Sequence, residues 1–162
     1  MIFRDKIESK IFSLETLLQR IEFWRTLGDK IVFTNGCFDI LHQGHVHLLA
    51  ACNEFGERTI VGLNSDSSVK KLKGPSRPVN NEKSRAAILA STQFVDAVVL
   101  FYELTPENLL HAIKPDVLVK GGDWKKDEII GGNFVESYGG KVKTVPYLKG
   151  FSTTEIIARS KK

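Results

Sequence analysis

The sequence predicts an α/β fold, a doubly wound parallel sheet of about five strands with helices on both faces. Three observations carry this. Short apolar runs rich in β-branched residues, such as Ile31-Val32-Phe33 and Thr59-Ile60-Val61-Gly62-Leu63, are bounded by turn-forming residues and are too short for helices. Between such runs lie segments whose apolar residues recur at helical spacing, so strand and helix alternate along the chain. The first unit has the spacing of a strand, a crossover helix and a second strand, which places both strands parallel in one sheet.

Residues 1–12 carry little signal. Ser13 then reads as the N-cap of an amphipathic helix with Leu14, Leu17, Leu18, Ile21, Phe23 and Trp24, closing at Gly28. The strand at Ile31–Phe33 ends at Asn35-Gly36, and a helix beginning near Gly44 carries Val46, Leu48, Leu49 and Cys52. The next strand, Thr59–Leu63, ends at Asn64-Ser65-Asp66. Residues 67–80, with Lys70, Lys71, Lys73, Gly74, Pro75, Arg77 and Pro78, read as a mobile basic loop, long enough to suggest function. A helix from about Glu82 to Ser91 and a strand Ala97–Phe101 follow. Thr105 is expected to cap a helix with Pro106 at its first position, running to Ile113 and stopping at Lys114-Pro115. The chain then reads as strand Asp116–Lys120, the turn Gly121-Gly122-Asp123, a helix around Glu128–Tyr138, strand Lys141–Val145 and a last helix Ser152–Ser160.

The 162 residues, 42% hydrophobic and 26% charged, suit one globular domain, with 1–30 as an N-terminal helical extension and 31–162 as the catalytic core. The net charge of +4 and pI of 9.1 fit a phosphorylated partner, but no long basic block or interleaved aromatics indicates nucleic acid. Cys37 and Cys52 show no C-x-x-C spacing and suit a reducing compartment. With no leader-like N-terminus and no apolar run of spanning length, the expected location is cytoplasmic, away from any membrane.

Chemistry concentrates where the first strand stops. His42, Gly44 and His45 stand at a helix N-terminus, where free N–H groups and the helix dipole favour a phosphate and Gly44 lets it approach the backbone. A zinc site of His42, His45 and His47 fits less well, because the helix turns His47 away and no fourth ligand is evident. The carboxyl ends of the other strands carry Asn64 and Asp66, then Phe101 to Glu103, then Lys120 to Asp123, and the segment Ser152-Thr153-Thr154-Glu155 follows the last strand. That last segment is a capping-box pattern whose hydroxyls and N–H groups also suit an anion. Asx residues and glycines populate any such loop, so convergence on one rim is what gives them weight.

The stretch Thr34-Asn35-Gly36-Cys37-Phe38-Asp39-Ile40-Leu41-His42-Gln43-Gly44-His45 resembles the H-x-G-H signature of the nucleotidylyltransferase superfamily. Arg77-Pro78-Val79-Asn80, Glu82, Arg85, Val119-Lys120-Gly121-Gly122-Asp123-Trp124 and Ser152-Thr153-Thr154 follow in the order and spacing of its cytidylyltransferase-like branch, from about Leu14 to the end. The T-N-G-C-F-D, R-P-V-N and V-K-G-G-D-W forms are most similar to adenylyltransferase domains that make ADP-heptose from a heptose 1-phosphate.

The resemblance implies a Rossmann-like sheet and transfer of AMP from ATP to a sugar 1-phosphate, with pyrophosphate leaving. It assigns His42, His45 and Lys120 to catalysis. It gives Thr34, Asn35, Gly36, Cys37, Phe38, Gly44, Ser152, Thr153 and Thr154 to the nucleotide, and Asp39, Asn64, Asp66, Arg77, Arg85 and Asp123 to the sugar phosphate. Read from the residues alone, Asp39 is equally an Asx turn, Arg85 a surface partner of Glu82 at i, i+3, Trp24 a core or dimer residue, and Trp124 a nucleotide neighbour. Magnesium would bridge the phosphates, since no carboxylate cluster forms a protein metal cage. The resemblance further implies a homodimer and a separate sugar kinase. A glycerol-3-phosphate cytidylyltransferase using CTP and a non-catalytic nucleotide-binding module are the alternatives. A dinucleotide-dependent oxidoreductase lacks its G-x-G-x-x-G after the first strand.

Overall fold

A computed structural model of the chain describes residues 3–125, 128–148 and 150–160; the outermost ends of the 1–162 domain assignment, at 1–2 and 161–162, lie outside the described residues. The elements run α1 (Phe3–Glu8), β1 (Ile11–Phe12), α2 (Leu14–Thr26), β2 (Ile31–Gly36), α3 (Gln43–Cys52), β3 (Arg58–Asn64), α4 (Asp66–Lys73), α5 (Glu82–Ser91), β4 (Ala97–Phe101), α6 (Glu107–Ile113), β5 (Val117–Gly121), α7 (Gly132–Ser137), β6 (Lys141–Val145) and α8 (Thr153–Ser160). The six strands form one parallel sheet in the order β1-β4-β3-β2-β5-β6.

β2 lies at its centre. Ile31, Val32, Phe33 and Thr34 are wholly buried, as expected of a strand covered on both faces. On one face, Ile31, Phe33, Ile60, Val99 and Leu118 pack against Leu17, Ile21 and Trp24 of α2, Leu109, Leu110 and Ile113 of α6, and Val135 of α7. On the other, Val61, Leu63 and Val98 meet Leu49 of α3 and Ala86, Leu89 and Ala90 of α5, while Val32, Val117 and Val119 meet Cys52. Caps set the helix starts: Ser13 accepts from Thr16 N, Ser65 from Ser68 N and Asn81 from Ser84 N. Gly28, at φ 83°, closes α2 in the left-handed region. No helix among the described residues is long and apolar enough to cross a membrane.

The structure corrects the sequence reading at four places. A sixth strand, β1, pairs with β4 through Ile11 and Val98, so the N-terminal segment is part of the sheet; two residues are too few to show alternation. Half of the expected basic loop is α4, capped by Ser65 and anchored by the fully buried Ser68 and Val69. The lysines had masked that anchor. Pro106, rather than Thr105, is the N-cap of α6. The helix expected around Glu128–Tyr138 shortens to Gly132–Ser137, because Gly131 adopts φ 81° against the side chain of Leu110. Of the two readings of Trp24, the structure gives the core one, with the Arg58 guanidinium 5.4 Å from its ring centroid.

The sheet is intolerant of added volume at Gly62, where a Cβ would sit 2.7 Å from Cζ of the buried Phe33 ring. Gly62→Ala is expected to lower the unfolding free energy by roughly 1–3 kcal/mol, read as a lower midpoint in urea.

Candidate active site

The chain leaves β2 toward β3 and β4, then crosses back to add β5 and β6 on the other side of β2. In such sheets a crevice opens at the carboxyl ends of the strands where the direction reverses, here β2 and β5. A cleft of about 550 Å³ occupies this position. It is lined by Asn35, Gly36, Cys37, Phe38 and Asp39 beyond β2, by His42, Gly44 and His45 at the start of α3, and by Asn64 and Arg77. Lys120 and Gly121 of β5, Ser152, Thr153 and Thr154 at α8, and the charged residues Lys73 and Glu128 add to the polar lining. Fourteen of the eighteen residues assigned from the sequence therefore share one wall or another of the cleft.

The two histidines are a stacked pair, with ring centroids 3.7 Å apart at 21°. Phe38 touches the His45 ring from another side at 4.9 Å. Burial lowers the pKa of both imidazoles, and the adjacent His42 adds to the effect at His45, bringing it from 6.5 down to about 4. Both are thus neutral near pH 7. Their Nδ1 atoms, and Oγ1 of the fully buried Thr34, are buried without a hydrogen-bond partner among the described residues. Such groups are costly unless something polar meets them. His42 is the N-cap of α3 but makes no side-chain cap, which leaves the helix start open to an anion. Gly44 is also where α3 meets the approach to α8: a Cβ there would lie 3.1 Å from the His42 ring and 3.5 Å from the Phe151 carbonyl oxygen.

Across the switch point, Lys120 Nζ donates to Asn35 Oδ1 at 3.0 Å, and burial lowers its pKa. One ammonium is thereby held between β2 and β5. At α8, Ser152 Oγ accepts from Glu155 N at 3.1 Å, the capping half of the pattern read from the sequence, and this leaves the hydroxyls of Thr153 and Thr154 at the cleft.

Four assigned residues are not in the cleft lining: Thr34, Asp66, Arg85 and Asp123. Asp123 is exposed beyond β5. Arg85 is 1% exposed and donates to the carbonyls of Cys37 (2.6 Å) and Asn80 (3.0 Å) and to Asp66 Oδ1 (2.8 Å). The expected i, i+3 pairing with Glu82 is replaced by this one, and Glu82 Oε2 instead accepts from Asp66 N at 2.7 Å. The Arg85 guanidinium is committed to holding the β2 loop. Asp39, at 2% exposure, holds the same loop from its other side, accepting from Arg77 Nε (2.5 Å), Val79 N (2.8 Å) and Asn80 N (2.9 Å). Burial alone would raise its pKa, but the Asn80 and Val79 N–H groups and the Arg77 guanidinium outweigh this and hold it below the ordinary carboxylate value. Among the described residues no group of three or more His, Cys, Asp or Glu side chains is placed to hold a metal ion.

The sequence reading missed the apolar rim. Leu72, Leu104, Ile129, Ile130, Tyr147 and Phe151 join Trp124 around the cleft. Several are large and exposed, including Tyr147 at 66% and Leu104 at 53%, and exposed aromatics just past strand ends were the available signal. Gly122, at φ 121°, lets the Tyr147 ring lie against the backbone, where a Cβ would be 2.7 Å from that ring.

Two outcomes follow from these environments. Asp39→Ala leaves Arg77 and two N–H groups unpaired and should cost roughly 2–4 kcal/mol in urea unfolding. His45 has a lower pKa folded than unfolded, so its stabilising contribution is complete above 6.5 and is lost as the pH falls toward about 4. The unfolding free energy of a His45→Asn variant is expected to fall less steeply over that interval than that of the unsubstituted protein, as measured by denaturant titration at several pH values.

Comparison with known proteins gives the family. "Bifunctional protein HldE" of Methylobacillus flagellatus is 51% identical over 150 residues, covering 93% of this chain and 31% of its own length. The HldE of Hyphomonas neptunium is 49% identical over 150 residues, again covering 93% and 31%. The chain thus spans about a third of the length of these curated relatives. Among solved structures, a lipopolysaccharide core biosynthesis protein from Thermoplasma volcanium superposes with a TM-score of 0.64 at 29% identity, covering 75% of this chain and 100% of that one. Pantoate-beta-alanine ligase from Francisella tularensis shares the fold, with a TM-score of 0.54 at 18% identity over 89% of this chain and 75% of its own. The cytidylyltransferase-like family model matches residues 33–159, from the central strand through the cleft to the last helix, and the chain belongs to that family.

Proposed function

We propose that this chain is an adenylyltransferase that transfers AMP from MgATP to a heptose 1-phosphate, releasing pyrophosphate and forming ADP-heptose. The observation that carries the reading is the stacked pair His42 and His45 at the open start of α3, facing Lys120 and the hydroxyls of α8 across one cleft. The half-identity to HldE over 93% of the chain supports the sugar.

In this reading a sugar-phosphate oxygen attacks the α-phosphorus in line as the bond to the pyrophosphate oxygen breaks. No covalent enzyme intermediate is needed, and the protein contributes positioning and stabilisation of charge on the phosphate oxygens. His42 and His45 meet the α-phosphate, with the backbone from Asn35 to Phe38 and at Gly44 cradling it. Ser152, Thr153 and Thr154 take the β- and γ-phosphates at the α8 N-terminus. Lys120 is placed to bridge donor and acceptor phosphates, and Asn64 and Arg77 face the sugar side. Thr34, Asp66 and Asp123 serve from outside the wall. Asp39 and Arg85 act by shaping the loop. Magnesium arrives as part of MgATP: Asp39, the buried carboxylate of the cleft, has its oxygens taken by Arg77, Val79 and Asn80, and among the described residues no group of three or more His, Cys, Asp or Glu side chains is placed to hold a metal ion.

The reading places residues 31–162 as the catalytic core, requires a sugar kinase acting earlier, and suits a cytoplasmic enzyme drawing on ATP. Phe23 and Leu27, exposed on α2 and just beyond it, offer apolar surface for a homodimer.

Pyrophosphate release with magnesium tests the reading, with ATP or CTP offered against heptose 1-phosphate, other sugar 1-phosphates and glycerol 3-phosphate. Release confined to ATP plus the heptose phosphate is expected. Release with CTP and glycerol 3-phosphate would replace the substrates, and none with any pair would remove the catalytic reading. His45→Ala should lower kcat by about 10²- to 10⁴-fold while near-ultraviolet circular dichroism is retained.

A further inference from the structure

Phe38 combines features that ordinary core packing does not require. It is one of two non-glycine residues with positive φ among those described, at 43°, a conformation that costs free energy unless its surroundings enforce it. Both neighbours are clamped by the same distant segment. The carbonyl of Cys37 accepts from Arg85 Nη1 at 2.6 Å, and the Asp39 carboxylate accepts from Arg77, Val79 and Asn80. The Asp39 carbonyl also accepts from Asn80 Nδ2 at 2.9 Å. Between these clamps the Phe38 ring turns back over Gly36, where a Cβ would lie 3.1 Å from its Cε2. It then meets His45, 4.9 Å between centroids and tilted by 49°, on an imidazole already stacked on His42.

We propose that Phe38 is a positioning residue for His45: its ring, held in place by a left-handed turn that Arg85 and Asp39 clamp from either side, sets the orientation of that imidazole in the cleft. The 77–85 segment thereby acts on the histidine pair through Phe38. An imidazole stacked on a second imidazole and in contact with a phenyl ring has few orientations open to it, and misplacement at a phosphate-contacting group costs rate more than affinity. Burial lowers the His45 pKa, and an apolar ring in contact with the imidazole keeps water from that side.

Phe38→Leu keeps apolar volume and removes the ring; Phe38→Tyr keeps the ring. The test is an NMR titration of the His45 ring in the substrate-free protein, joined to steady-state adenylyl transfer. In Phe38→Leu the His45 midpoint should rise by about one pH unit, and kcat should fall about tenfold with KM for ATP within about threefold. Phe38→Tyr should return most of both changes. A folded Phe38→Leu protein with an unmoved His45 titration overturns the proposal. Should that variant not fold, the unsubstituted protein decides: nuclear Overhauser contacts between the Phe38 and His45 rings support the proposal, and their absence overturns it. The kinetic half rests on the adenylyl-transfer reading, whereas the titration does not. A shifted titration in a protein that turns over no substrate leaves Phe38 in its role and removes only that reading.

Discussion

The structure depends on the burial of β2. A strand covered on both faces and paired on both edges has no unpaired polar backbone until it ends, so the first place where the chain can present N–H groups to a ligand is its carboxyl terminus. Every catalytic candidate follows from that. β3 and β5 flank β2 on opposite sides, their continuations separate, and the gap receives side chains from both halves of the sheet. The bond from Lys120 to Asn35 is the direct link across this gap, and it joins residues 85 positions apart in the chain.

The outline of this arrangement was legible because its signals are local. Ile31–Phe33 and Thr59–Leu63 read as strands from composition, Ser13 announces α2, and the rule that ligands bind at strand ends brings His42, His45, Lys120 and Ser152–Thr154 to one rim. What the sequence hid depends on partners distant along the chain. β1 is a strand only because β4 offers it an edge. The charges of Lys70, Lys71 and Lys73 outweighed the modest pattern of Val69 and Leu72, so α4 passed for loop.

Arg85 and Asp39 show the same limit on function. Charged residues near a phosphate site invite a ligand role, yet a guanidinium or carboxylate can be consumed by carbonyls and N–H groups some forty residues away. Buried charges persist where each polar atom finds a partner, and these two find theirs within the protein. No periodicity or spacing announces such a partnership. The apolar rim escaped for the opposite reason: Tyr147, Phe151 and Ile130 look like stray surface hydrophobics until the fold gathers them around the cleft.

The last helix has a property of a different kind. α8 contributes no buried side chain, although Thr153 and Thr154 at its start line the cleft. The opposite wall is built into the core through Phe38 and Leu49. Detaching α8 would sacrifice little of the apolar burial that holds the rest together, so its local opening free energy lies well below that of the whole fold. The two walls are therefore separable in energy. Side chains of α8 beyond Thr154 can change with the sheet and the histidine pair left standing, so the part this helix plays at the cleft is concentrated in its first turn.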